Sequence, residues 1–211
     1  MTLVAGGPVR AQDLQDARAL APVVVAIDGG ADRVLDLGMM PEAVIGDMDS
    51  LSQAGRARLD PATIITVQEQ IETDFYKSLQ HVRAPFIVAL GCLGGQVDHE
   101  LAVFASLIRR GGACLLVGAR DVVFAAPPCR WIDLALVAGD RVSLFPMLPV
   151  TGKAEGLFWP IDELDFHPMG RIGTSNRATG PVRMCFAGRG MLVILPRERL
   201  SAALAGLRSA G

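Results

Sequence analysis

The stretch AIDGGADRVLDLGMMPEAVIGDMDS, residues 26–50, contains two apolar runs that each end in glycine and aspartate. The first run ends at Asp28, and the second is followed by Asp47 and Asp49. Ligands of open α/β sheets bind just beyond the carboxyl ends of the strands. Carboxylates gathered at that edge repel one another unless a cation lies between them. The stretch therefore predicts an α/β sheet with a Mg²⁺ site beside a phosphate-bearing ligand.

Composition limits the classes of function that need to be considered. The chain has 211 residues, of which 51% are hydrophobic, so it can fill the core of one domain or two small ones. Its formal net charge of −2 gives no basic surface for nucleic acid or an anionic membrane. We see no signal peptide, no apolar run of the ~20 residues that span a bilayer, and no CxxC pair among the four cysteines. We expect a soluble, cytoplasmic protein.

The order of apolar runs and helical patterns predicts two domains. Residues 1–122 alternate strand and helix, which predicts an α/β domain with a mostly parallel sheet. From residue 123 to 211 short runs separated by Gly and Pro predict a small antiparallel all-β, sandwich-like domain. In the first domain we expect helices from Ser50, as N-cap, to Leu59 and over Glu72–Val82 and Asp98–Arg109. In the second we expect a strand at Gly156–Trp159.

Acidic residues follow four predicted strands of the α/β half. They are Asp28, the pair Asp47 and Asp49, Asp74 and Asp98. Each one alone is better explained by a helix cap or a turn. Together at one end of one sheet they favour a metal and phosphate site.

Basic and small residues near these acids fit the same interpretation. Lys77 follows Asp74 by one helical turn and could reach a phosphate oxygen, pair with Asp74, or lie on a solvated helix face. The pairs Gly29-Gly30 and Gly94-Gly95 allow backbone N–H groups to approach a phosphate closely. The chain contains no GxxxxGK[ST] motif, which excludes an ordinary P-loop.

Two features of the β half are candidates for a ligand pocket. The run Gly173-Thr174-Ser175-Asn176 is either an ordinary turn or a polar loop that contacts a small ligand. Trp159 is either a core residue or a stacking platform for an aromatic ring.

Taken in order, these motifs resemble the thiamine pyrophosphokinase family over nearly the whole chain. The matching pieces are Asp28-Gly29-Gly30-Ala31, Pro41 followed by Gly46-Asp47-Met48-Asp49-Ser50, Thr73-Asp74-Phe75 with Lys77 and Leu79, Gly94-Gly95 with Asp98-His99, and Gly173-Thr174-Ser175-Asn176. The resemblance implies an α/β domain followed by a β domain. It also implies a homodimer whose active sites lie between the α/β domain of one subunit and the β domain of the other.

The activity that the resemblance implies is transfer of pyrophosphate from ATP to the hydroxyethyl oxygen of thiamine, with Mg²⁺, giving thiamine diphosphate and AMP. Asp47, Asp49 and Asp74 are then the expected metal ligands and, with Asp98, the catalytic residues. The expected nucleotide- and thiamine-binding residues are Asp28, Gly29, Gly30, Lys77, Gly94, Gly95, Trp159, Ser175 and Asn176.

The chain departs from the family pattern at three places. The family commonly has Asn, Ser and Arg where this chain has Asp32, Glu72 and Gln96-Val97. Two differences add negative charge and one removes positive charge, so they bear on ATP affinity and metal binding. Two alternative functions therefore stay open. One is an ATP-dependent transferase that acts on another small alcohol, and the other is a non-catalytic nucleotide- or thiamine-binding homologue.

Overall fold

Strands and helices alternate along the first half of the chain, as the sequence predicts. The computed structural model describes residues 1–68 and 71–210. The elements are β1 (Thr2–Val4), α1 (Ala11–Leu20), β2 (Val24–Ile27), α2 (Gly30–Asp36), β3 (Ala43–Gly46), α3 (Gln53–Arg58), β4 (Ile64–Thr66), α4 (Asp74–His81), β5 (Ile87–Leu90), α5 (Val97–Arg110) and β6 (Cys114–Val117).

Five of these strands pair in parallel in the order β5-β1-β2-β3-β4. Ala26 of β2 lies opposite Val4 of β1 and Val44 of β3. All four residues of β2 are buried, which agrees with a continuous apolar run in a sheet covered on both faces. Since parallel strands end at one edge, this register brings the residues after β2 and β3 side by side.

The helix starts differ from the prediction in two places. The N-cap of α3 is Ser52, whose hydroxyl oxygen accepts a hydrogen bond from the Gly55 N–H at 2.9 Å. Ser50 as the cap is therefore wrong, and its N–H instead donates to Asp28. Thr73 caps α4, so Glu72 lies before that helix. In both helices the hydroxyl oxygen of the N-cap residue accepts a hydrogen bond from a backbone N–H group of the first turn, which has no partner within the helix.

The chain forms two compact units. The first contains Met1–Ser106 and Leu116–Gly118, and the second contains Leu107–Leu115 and the chain from Ala119 onward. The domain boundary between residues 122 and 123 and the sandwich-like arrangement of the second domain remain predictions.

The strands of the second unit pair antiparallel in the order β11-β10-β12-β9-β13-β7, and β8 also pairs with β12. Its elements are β7 (Asp121–Ala125), β8 (Ile132–Leu134), β9 (Arg141–Pro146), β10 (Val150–Leu157), β11 (Asp165–Phe166), β12 (Gly173–Phe186), β13 (Met191–Pro196) and α6 (Leu200–Ser209).

Two expectations for this unit are wrong. The run Gly173–Asn176 is not a loop but the start of the 14-residue strand β12. The pairing of β12 with β9 shifts between Gly173 and Asn176, and Ser175 there has a φ of 60°, so the strand begins with a bulge. The strand predicted at Gly156–Trp159 ends at Leu157, which leaves Phe158 and Trp159 outside regular structure. Polar residues that suit a turn also suit a bulge, and sequence pattern does not separate the two.

The helices of residues 1–68 and 71–210 are all too short or too polar to cross a membrane.

Candidate active site

A group of three carboxylates lies at the ends of β2 and β3 and at the start of α4. One oxygen each of Asp28, Asp47 and Asp74 lies within 4.8 Å of the others. Asp28 follows β2, Asp47 follows β3, and Asp74 is the first residue of α4. The parallel register brings Asp28 beside Asp47, 19 positions later in the sequence, and the start of α4 adds Asp74. Three carboxylates at this spacing are a suitable oxygen donor set for a divalent cation.

Asp28 is the most buried member of this group. Its side chain is 6% exposed, and Oδ2 accepts a hydrogen bond from the Ser50 N–H at 3.2 Å. Oδ1 is buried and accepts no hydrogen bond from any described residue. Gly46 permits this packing, because a Cβ at Gly46 would lie 2.9 Å from the Asp28 Cβ.

Burial raises the pKa of Asp28 to about 6, since a charged carboxylate loses hydration there. Hydrogen bonds from Ser50 oppose this rise, whereas the neighbouring Asp49 and Asp74 add to it. A bound cation would reverse the effect of burial by favouring the charged form. Asp28 therefore has a buried oxygen without a hydrogen-bond donor and a raised pKa, and both features are consistent with a site that binds a cation.

Asp49 lies beside this group but is not one of its three members. Its N–H donates to Asp47 Oδ1 at 3.3 Å, and its own Oδ1 accepts from the Ser50 hydroxyl at 2.9 Å. The hydrogen bond from Ser50, followed by that with Asp28, lowers the pKa of Asp49. Asp49 thus stays ionised at the exposed side of the turn. The two-residue spacing of Asp47 and Asp49 did not reveal that Asp28, and not Asp49, completes the group with Asp47 and Asp74.

Lys77 places a buried positive charge against this group. Its side chain is 5% exposed, and Nζ lies 2.6 Å from Asp74 Oδ1 and 4.0 Å from Asp47 Oδ2. Lys77 and Asp74 are three residues apart on α4, so the helix itself sets their separation. The solvated helix face considered for Lys77 is therefore wrong, and its ammonium group faces the carboxylates.

A cavity of about 1100 Å³ opens next to the acidic group. Its wall includes the ends of β1, β2 and β5 and the start of α5, with Asp28, Asp32, Asp74 and Asp98 among its acidic residues. Gly94 and Gly95 lie on the same wall, and both of their N–H groups donate to Oε1 of Glu100, the Gly95 bond being 3.0 Å. The glycine N–H groups that the sequence assigns to a phosphate thus have an internal carboxylate as their partner.

The other glycine pair has a packing role that the sequence did not reveal. A Cβ at Gly30 would lie 2.0 Å from the Val4 carbonyl oxygen, so α2 can begin against β1 only with glycine there. At Gly29 a Cβ would lie 3.0 Å from the Ser50 carbonyl oxygen. This close packing holds the turn after β2 against the turn after β3, and it fixes Asp28 and Ser50 together.

The remaining predicted residues belong to the second unit. Trp159 is 54% exposed, which excludes the core interpretation of its side chain. Ser175 is exposed, whereas Asn176 is buried and hydrogen-bonded to the backbone of Trp159. The second unit therefore presents an exposed aromatic residue next to the polar run Gly173–Asn176.

Comparisons with known proteins agree with this site. Residues 14–114 match the family model described as thiamin pyrophosphokinase, catalytic domain. That segment contains Asp28, Asp47, Asp74, Lys77 and Asp98. Over this segment, just under half of the chain, the sequence is similar to the thiamine pyrophosphokinase family.

Individual members of this family are also similar to the chain. The chain is 26% identical over 185 residues to thiamine pyrophosphokinase 1 of Oryza sativa subsp. japonica, covering 72% of this chain and 70% of the relative. It is 31% identical over 108 residues to thiamine pyrophosphokinase of Bacillus subtilis (strain 168), covering 48% and 50%. The thiamin pyrophosphokinase structure from Candida albicans superposes with a TM-score of 0.79 over 92% of this chain and 88% of that one. At 16% identity, this last likeness shows the fold alone.

The structure also shows residues at this site that sequence reasoning missed. Glu100 is one, because nothing in its position predicted a bond to the turn before its own helix. Arg33 is another: it lines the cavity, and its Nε donates to the Gly6 carbonyl at 3.2 Å. The chain has no Arg at Gln96, where the family pattern has one. Arg33 could have been found from the sequence by looking for a basic residue near the other glycine pair, Gly29-Gly30.

Asp32, where the family commonly has Asn, has a defined structural contact. Its two oxygens accept hydrogen bonds from the Ser52 N–H at 2.9 Å and the Ser52 hydroxyl at 2.7 Å. Asp32 thereby holds the cap of α3 while it also lines the cavity.

Proposed function

We propose that this chain is a thiamine pyrophosphokinase that forms thiamine diphosphate and AMP from thiamine and ATP. The hydroxyethyl oxygen of thiamine forms a bond to the β-phosphorus of ATP. The bond between that phosphorus and the oxygen bridging to the α-phosphate breaks, AMP leaves, and the hydroxyl proton is released. The observation that carries the proposal is the convergence of Asp28, Asp47 and Asp74 with buried Lys77 beside a cavity large enough for a nucleotide.

A divalent metal is required for this proposal, and we assign Mg²⁺ to Asp47, Asp49 and Asp74, with Asp28 alongside. The donor set fits, since all these ligands are carboxylates and Asp28 Oδ1 has no hydrogen-bond donor among the described residues. Bound Mg²⁺ would neutralise charge on the phosphate oxygens around the attacked phosphorus.

The residues of the chain would contribute mainly by position and charge. Lys77 holds the carboxylates of Asp74 and Asp47 in place and offers its ammonium charge to a phosphate oxygen. The Arg33 guanidinium would bind another phosphate oxygen of ATP, and Asp98 would act at the same wall. The Gly94 and Gly95 N–H groups would bind phosphate in place of Glu100, which accepts from both of them in this structure. Gly29 and Gly30 keep the first turn close to the strands, so that a nucleotide can lie against its backbone.

Thiamine is proposed to bind through the second unit. Trp159 offers an exposed aromatic face, and Ser175 offers an exposed hydroxyl at the bulge of β12. The thiazolium ring of thiamine is cationic, and an indole ring attracts such a cation. Asn176 supports this pocket through its hydrogen bonds to the Trp159 backbone.

The proposal is tested by incubating the protein with ATP, Mg²⁺ and thiamine and separating the nucleotide products. Equal amounts of AMP and thiamine diphosphate, both dependent on thiamine, would support it. ADP in place of AMP would overturn attack at the β-phosphorus. Binding of ATP and thiamine without any turnover would instead favour the non-catalytic homologue.

A double variant tests the assignment of the metal ligands. Asp47→Asn combined with Asp49→Asn removes two negative charges with little change in shape. We expect a loss of turnover of at least about a hundredfold, while the circular dichroism spectrum stays that of the native protein. The matched control is Asp60→Asn, which changes an exposed carboxylate that caps a short turn at the Ala62 N–H. Native turnover in the double variant would contradict the assignment.

We further propose a cytoplasmic homodimer in which each active site combines the first unit of one subunit with the second unit of its partner. The proposal rests on the family resemblance and on the separation of the acidic residues and Trp159 into different units of the chain. Mixing the double Asn variant with Trp159→Ala tests it, because each inactive variant carries one intact half of every composite site. Recovery of activity on mixing would support the proposal, and additive residual activities would contradict it.

A further inference from the structure

The side chain of Asn176 is bound to the backbone beside Trp159 on both of its polar atoms. Nδ2 donates to the Trp159 carbonyl at 2.7 Å, and Oδ1 accepts from the Trp159 N–H at 3.1 Å. Oδ1 also accepts from the Arg177 N–H at 2.7 Å. Asn176 therefore pairs with both backbone groups of Trp159, as a neighbouring strand residue would.

This pairing leaves Asn176 little capacity for a ligand. A side-chain amide has two acceptor sites on its oxygen and two N–H donors. Both acceptor sites are used, one donor is used, and the side chain is 6% exposed. The residue is thus saturated as an acceptor and buried, whereas its neighbour Ser175 is exposed.

Phe158 and Trp159, the segment that Asn176 holds, lie beyond the end of β10 and make no regular strand pairing. The regular pairing of β10 with β12 ends at Leu157 opposite Ala178, and the next contact is the Phe158 N–H bonded to the Arg177 carbonyl at 2.8 Å. Beyond that point Asn176 provides the bonds to Trp159. Backbone groups outside a ladder lack the hydrogen bonds that a strand provides, so this amide holds the backbone from which the indole projects.

Further contacts orient the exposed aromatic rings on this segment. Phe158 and Trp159 meet edge to face with centroids 4.7 Å apart. The Arg177 guanidinium carbon lies 4.3 Å from the Phe158 centroid and 5.9 Å from the Trp159 centroid. The rings of Phe158 and Trp159 are both about half exposed, yet these contacts hold them in a fixed arrangement. Fixing exposed side chains costs conformational entropy, and exposed apolar rings are typical of binding sites.

We propose that Asn176 is a positioning residue that sets the Trp159 indole for thiamine and does not itself contact thiamine. This inference rests on the proposed function for its ligand, but the geometry of Asn176 and Trp159 is independent of it. The bulge at Ser175 contributes to this positioning because it shifts the pairing of β12 with β9. As a result Ser175 is exposed, whereas Asn176 is buried and faces the Trp159 backbone.

Asn176→Asp separates positioning from direct contact. It keeps Oδ1 but replaces the N–H donor by an oxygen that faces the Trp159 carbonyl. A direct ligand at this position would bind cationic thiamine at least as well when changed to Asp. A positioning residue would lose a hydrogen bond and gain repulsion, so we expect the KM for thiamine to rise about tenfold, with the KM for ATP within about twofold of the native value.

Fluorescence of Trp159 gives a readout that does not depend on turnover. Trp131 and Trp159 are the two tryptophans of the chain, so Trp131→Phe isolates Trp159 and retains an aromatic ring under Arg183. In that background we expect Asn176→Asp and Asn176→Ala to lower the anisotropy of Trp159 and to increase its quenching by acrylamide. Thr179→Ala, an exposed change on the same strand, serves as the control and should leave both signals unchanged.

Titration with thiamine completes the test. A roughly tenfold weaker dissociation constant from Trp159 emission, together with the anisotropy change, would support the proposal. Native anisotropy in Asn176→Asp, or tighter thiamine binding, would overturn it. If the native chain forms no AMP, the proposed function fails while the anisotropy measurements still decide whether Asn176 positions Trp159.

Discussion

Glu100 Oε1 lies 3.0 Å from the Gly95 nitrogen and accepts its hydrogen bond. The same oxygen accepts from Gly94, so a residue of the first turn of α5 closes the turn that precedes it. This carboxylate lies on the wall of a cavity that also carries Asp28 and Asp98. A triphosphate entering the cavity would meet this negative charge at the N–H groups best suited to bind it.

Replacing Glu100 by Gln should tighten ATP binding. The amide oxygen can still accept from Gly94 and Gly95, but the charge is gone, so we expect the KM for ATP to fall about two- to fivefold, corresponding to roughly 0.5–1 kcal/mol. Steady-state kinetics at saturating thiamine, at low and at high salt, would measure the effect, which salt should weaken. Glu100→Asp is the matched control, since it keeps the charge on a shorter side chain. An unchanged or higher KM in Glu100→Gln would contradict the prediction.

Replacing Lys77 by Met should damage both stability and activity. Asp74 and Asp47 would keep their charges next to a buried apolar side chain, and the lost pair costs about 1–2 kcal/mol after allowance for the partial exposure of Asp74. Urea unfolding measures this loss. We also expect kcat/KM to fall at least about a hundredfold, because a charge near the phosphates is removed.

Lys77→Arg separates the two effects. It retains the positive charge, but its planar head does not fit the place of a compact ammonium group. We expect most of the stability to return and only part of the activity. Full activity in Lys77→Met would show that the ammonium group has no role in turnover.

The raised pKa of Asp28 predicts a specific dependence of stability on pH in the metal-free protein. The folded pKa of about 6 lies above the ordinary aspartate value of 3.8, so between these pH values the folded state binds more protons than the unfolded state. The free energy of unfolding contributed by Asp28 therefore falls as pH rises through this window. Asp28→Asn cannot ionise and lacks this decline.

The measurement is urea unfolding of both proteins between about pH 4 and 7 in the presence of a chelator. The native protein should lose stability relative to Asp28→Asn as pH rises. Added Mg²⁺ should restore it at pH 7 in the native protein more than in the variant. If the unfolding free energies of the two proteins changed with pH in parallel, burial of the ionised Asp28 would not destabilise the native protein.

Much of the first unit follows from its sequence because its signals are local and mutually consistent. The run at β2 is continuous and apolar, and the glycine and aspartate after it mark the strand end where ligands bind. Chain order alone therefore brought Asp28 and Asp47 to one edge. The identity of the three closest carboxylates did not follow, since it depends on where α4 begins beside β3.

The parts that sequence did not reveal depend on backbone geometry at single residues. Ser175 adopts a φ of 60° within β12, which turned a predicted loop into a bulged strand. Gly94 has a φ of 81°, and the turn it forms directs two N–H groups to Glu100. Such contacts are set by a few dihedral angles, and residue type at those positions allows several alternatives.

Asp32 accepts two hydrogen bonds from Ser52 and lies on the cavity wall. Asp32→Asn restores the residue that the family commonly has. Its amide oxygen can still accept from the Ser52 N–H, and its amide nitrogen can donate to the Ser52 hydroxyl. We therefore expect a change in unfolding free energy of less than about 0.5 kcal/mol.

The same substitution removes one negative charge from the wall, so the KM for ATP should fall about two- to fivefold. Asp32→Ala separates charge from capping: it removes the charge as well, but it also removes both bonds to Ser52 and should cost about 1–2 kcal/mol of stability. Urea unfolding and ATP kinetics on the two variants measure these effects. An Asn variant that binds ATP more weakly than the native protein would mean that the Asp32 charge assists ATP binding, for instance through the metal.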